Sequence, residues 1–65
     1  MCLSTVFEER GGEQTKLAEY VSSVREEAGK ITLTDIMGEE TVVYGKVRSV
    51  DLVQNRIIIE GAQSA

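Results

Sequence analysis

Apolar and polar residues alternate along most of this chain, and the alternation breaks at short runs containing Gly, Asp or Asn. Leu3, Thr5 and Phe7 alternate with Ser4, Val6 and Glu8, and Gly11-Gly12 ends the run, a pattern that predicts a strand followed by a turn. "KITLT" at 30–34 alternates cleanly, and "DIMGEE" behind it supplies the Asp and Gly of a second turn. A β-rich stretch covers 41–53, with Gly45 permitting a bend or bulge in its interior. Gln54-Asn55 predicts a tight hairpin into "RIIIE", because Asn tolerates the left-handed backbone that such turns use.

The segment 14–28 fits two periods. Leu17, Tyr20, Val21, Val24 and Ala28 have helical spacing, and Ser23 with Glu26 matches a capping box. Against a helix, Thr15, Val21, Ser22, Ser23 and Val24 are weak helix formers and the segment lies between strand candidates, so we assign it as a strand. Four or five short strands without a proline predict an all-β fold, a small SH3-like barrel of about five antiparallel strands. One domain is expected over 1–61, with 62–65 as a disordered C-terminal tail. Alternation assigns the core to Leu17, Val21, Ile31, Leu33, Val43, Val47, Val50, Leu52, Ile57 and Ile59.

Composition narrows the function. At 65 residues a single core is small enough to need help, and a homodimer would supply it. One cysteine closes no intramolecular disulfide, and no basic and apolar leader opens the chain, so a cytoplasmic protein without a membrane span is expected. A net charge of −4 opposes nucleic-acid phosphates, and three aromatic residues, Phe7, Tyr20 and Tyr44, offer few stacking platforms. The absence of His removes imidazole catalysis, and no nucleophile elbow, phosphate loop or dinucleotide fingerprint occurs. A non-enzymatic binding protein is the class that remains.

Cys2 is the sharpest candidate for chemistry. Its thiolate is a soft ligand, and its own backbone nitrogen lies within chelate reach of the sulfur. Two such pairs from two chains would give a planar set of two nitrogens and two sulfurs, a geometry that Ni(II) and Cu(II) favour. The plain alternative is a small apolar residue that begins a strand. Asp35, Glu39 and Glu40 cluster around Gly38 without the ligand alternation of a calcium loop, so they are assigned to a solvated turn. Lys46 and Arg48 share a face by alternation, with Arg56 nearby, and are expected to pair across strands with carboxylates such as Glu60.

The stretches "MCLSTV", "ITLTDIMGEE" and "GKVRSVDLVQNRIIIE" resemble the CooT family of small nickel-binding proteins, over nearly the whole chain from Met1 to Glu60. The resemblance implies a homodimer of SH3-like barrels that binds Ni(II) between subunits through Cys2, linked to nickel delivery for maturation of carbon monoxide dehydrogenase or another nickel enzyme. No other residue is carried over as a ligand. Two readings from other classes compete. One is an RNA- or protein-interaction module built on Lys46, Arg48 and Tyr44, with RNA disfavoured by the acidic balance. The other is a metal-free subunit in which Phe7, Met37 or other apolar groups pack on a partner.

Overall fold

The computed structural model describes residues 3–61, so the expectations for Cys2 and for the 62–65 tail fall outside the described residues. Five strands follow in chain order: β1 (Ser4–Arg10), β2 (Glu13–Glu27), β3 (Lys30–Asp35), β4 (Glu40–Asp51) and β5 (Arg56–Gly61). Each pairs with its neighbour in sequence, and β1 pairs with β5 to close a barrel. The all-β barrel read from the alternation is what the chain forms. Its sequential pairs are antiparallel, while the closing pair is parallel, Val6 opposite Ile57 and Glu8 opposite Ile59. Parity requires this: in an up-and-down walk of five strands the first and last run the same way.

β2 spans 15 residues because it serves two neighbours, pairing with β1 through Glu13–Val21 and with β3 through Val21–Glu27. It turns from one to the other at Tyr20, whose φ of 57° lies in the left-handed region. For a bulky L-residue that conformation costs about 1–2 kcal/mol. Register shifts on either side of this residue show extra β2 residues inserted against β1 and against β3. Such bulges sharpen the local bend and turn a ribbon into a barrel wall. β4 makes the corresponding change at Gly45, facing β3 up to Tyr44 and β5 from Gly45 onward.

The interior is aliphatic: Val6, Val21, Ile31, Leu33, Ile57 and Ile59 are buried, with Leu17, Ala18, Val24, Val43 and Val47 packed against them. Two expected core residues are corrected. Val50 is 52% exposed although it faces Ile57, because β4 beyond Gly45 is paired with β5 alone. Leu52 is 79% exposed because the strand ends at Asp51 and Leu52 begins a four-residue turn. Val6 joins the core instead, one position out of step with Thr5 and Phe7. Glu26 Oε1 accepts from the Val47 N–H at 3.2 Å, covering one donor on the half-open edge of β4.

The β2–β3 hairpin uses the two-residue turn Ala28-Gly29, with φ of 52° and 81°. Two positive φ values mark the turn type that favours Asn-Gly, since Asn enters this region more readily than Ala. Ala28→Asn is therefore expected to raise the unfolding free energy by about 0.5–1 kcal/mol. The check is a higher urea midpoint at unchanged m-value.

Candidate metal centre and interaction surfaces

β1 begins at Ser4, which lies opposite Val21 of β2, while Thr5 donates its N–H to Asn55 O at 2.9 Å. The start of β1 is thus held between the Tyr20 bend on one side and the β4–β5 turn on the other. Cys2 stands two positions ahead of Ser4, and two residues of chain span at most about 7 Å.

Two aspartates at that end already accept from backbone amides. Asp35 Oδ1 accepts from the N–H groups of Met37 at 2.8 Å and Glu39 at 3.0 Å, and Gly38 donates to Asp35 O at 3.0 Å. Asp51 repeats the device, with Oδ1 accepting from Val53 at 3.0 Å and Gln54 at 2.9 Å. Each aspartate satisfies amide donors that a turn would otherwise leave to water. Asp35, Glu39 and Glu40 accordingly form a turn, as expected, and no group of three His, Cys, Asp or Glu is arranged to hold a metal among the described residues. Cys2 is the chain's single thiol.

The basic stripe is largely spoken for. Arg48 Nη1 lies 2.7 Å from Glu9 Oε2, and Lys46 Nζ lies 3.9 Å from Glu60 Oε1, the partner expected from alternation. Glu9 and Glu60 face each other across the parallel closure, so both cations converge on one acidic pair. Arg56 sits 4.7 Å above the Phe7 ring, which removes Phe7 from the free apolar surface. Tyr44 is 63% exposed and Met37 82% exposed. Tyr20, Leu52 and Val53 are exposed apolar residues that sequence reading did not place on the surface. Their signal was present twice, as an aspartate followed by two apolar residues in "DIM" and "DLV".

A family model described as "CO dehydrogenase accessory protein CooT" matches residues 1–60. In fold, the chain is similar to a crystal structure assigned to CooT from Carboxydothermus hydrogenoformans, with a TM-score of 0.86 and 24% identity over 95% of this chain and all of that one. No curated protein matches the chain. Among the described residues, no helix is long and apolar enough to cross a membrane.

The Asp35 turn generates a direct test. Asp35→Ala removes the acceptor for two backbone donors and is expected to cost about 1–2 kcal/mol. A lower melting temperature and faster hydrogen exchange at Met37 and Glu39 are the measurements that check it.

Proposed function

Because the chain belongs to the CooT family of CO dehydrogenase accessory proteins, we propose that it is a nickel-binding accessory protein, a homodimer that holds one Ni(II) between subunits through Cys2. The observation that carries this reading is the donor set. The sequence has no His, the aspartates near the start of β1 are committed to their own turns, and Cys2 is the single thiol. Its thiolate and backbone nitrogen supply two donors from one residue, and a two-fold axis supplies the other two. Nickel is cargo here, destined for CO dehydrogenase or another nickel enzyme, and the protein's part is to hold it and give it up.

The barrel's contribution is to carry the ligand at a rigid rim. A site made from two copies also ties metal release to the separation of those copies. Cu(II) favours such nitrogen and sulfur donors at least as strongly as Ni(II), so selection for nickel rests on supply in the cell. A free thiol ligand fits the reducing cytoplasm, which is where we place the protein.

Titration of the reduced chain with Ni(II) is expected to saturate at one ion per two chains, with thiolate charge-transfer and planar d–d absorption bands. Cys2→Ser should abolish tight binding and leave the far-ultraviolet circular dichroism unchanged. Thiol and nitrogen must lose protons to bind, so affinity should rise with pH and binding should release protons into a weak buffer. Absence of binding, or binding indifferent to Cys2, would overturn this function.

A further inference from the structure

Of the seven Lys and Arg residues, Arg10, Lys16, Lys46 and Arg48 meet carboxylates, and Arg56 lies over the Phe7 ring. Arg25 and Lys30 are the two that have neither kind of partner among the described residues, and both line one depression of about 190 Å³ on the barrel wall. Register builds this depression from the outer face of β2, β3 and β4. Ile31 and Leu33 are buried in the core, so Lys30 and Thr32 point outward. Arg25 lies opposite Thr32, which lies opposite Val42; Glu27 lies opposite Lys30, which lies opposite Tyr44. Each row thus passes from charge on β2 to an exposed apolar group on β4, with Val42 43% and Tyr44 63% exposed. Glu27 and Glu40 stand at opposite corners of the face.

We propose that this face docks an extended segment of a partner protein in which an acidic residue is followed, two positions on, by an apolar or aromatic one. Charge and spacing choose the occupant. Arg25 and Lys30 are diagonal neighbours on adjacent strands, so one carboxylate set between them pairs with both, and the Thr32 hydroxyl adds a neutral donor. Neighbouring strands lie about 4.8 Å apart, which puts β4, with Val42 and Tyr44, about 7 Å across the sheet from the midpoint of the two cations. Two residues of an extended chain advance by about the same distance and return the side chain to the same face. Glu27 and Glu40 match the two cations in number, so a single carboxylate is favoured over an acidic run, and a phosphate backbone meets repulsion. The depression is also smaller than the roughly 300–1,000 Å³ of pockets that enclose a whole small molecule, which suits one side chain projecting from a larger partner. The site uses neither Cys2 nor a metal, so it stands apart from the nickel reading.

Titration of the isotope-labelled full chain with a short, end-blocked peptide carrying Asp-Ser-Phe between glycines and serines, followed by amide chemical shifts, tests the proposal. Saturable shifts are expected at Thr32, Val42 and Tyr44. Arg25→Gln and Lys30→Gln should each weaken binding about fivefold, and added salt should weaken binding to wild type. Changing the peptide's Asp to Asn, or moving its Phe next to the Asp, should weaken binding by about the same factor. Both substituted side chains are exposed, so the amide spectrum away from this face should stay unchanged. Cys2→Ser should bind the peptide like wild type, and Arg25→Gln should leave the nickel stoichiometry as in wild type, so failure of one reading is distinguishable from failure of the other. Absence of shifts on this face, equal binding of the Asn peptide, or tighter binding of oligouridylate there than of the peptide would overturn the proposal.

Discussion

The fold depends on one backbone constraint, the left-handed conformation of Tyr20 in the middle of β2. A flat strand of 15 residues would reach well past its partners, leaving an unpaired edge. The bend divides it into a half that covers β1 and a half that covers β3, meeting at Val21, which contacts both registers and is itself buried. With that bend and its counterpart at Gly45, five short strands enclose six aliphatic side chains; without it they would form a twisted open sheet.

The same constraint makes the two ends of the barrel chemically unlike. One carries Glu8 and Arg10 beside Gly61, small turns and the exposed Tyr44, while the other displays apolar turn residues around the first residues of β1. Surface ion pairs such as Arg48–Glu9 add little stability by themselves and pair off cations of the basic stripe.

Much of this was legible in the sequence, and the failures have physical causes. Alternation located four strands because Ile31/Leu33 and Ile57/Ile59 keep a strict period of two. β2 was assigned as a strand although Leu17, Tyr20, Val21 and Val24 also fit helical spacing, because its bulges insert residues and a bent strand shares that spacing with a helix. Val6 escaped because its neighbours Thr5 and Phe7 are also good strand residues, and alternation alone does not choose a face. Val50 and Leu52 were placed inside because a sequence does not show where β4 loses its second neighbour. Cys2 drew attention as the single cysteine, one residue from the start of the sequence, and through the family resemblance.

The parallel closure has a geometric consequence. Because β1 and β5 run the same way, Gly61 finishes at the end opposite Ser4, roughly 17–20 Å away for a strand of this length. The last described residue of β5 thus lies at the rim opposite the first residue of β1. A tether, label or fused domain attached at the end of β5 would start from the rim opposite the start of β1.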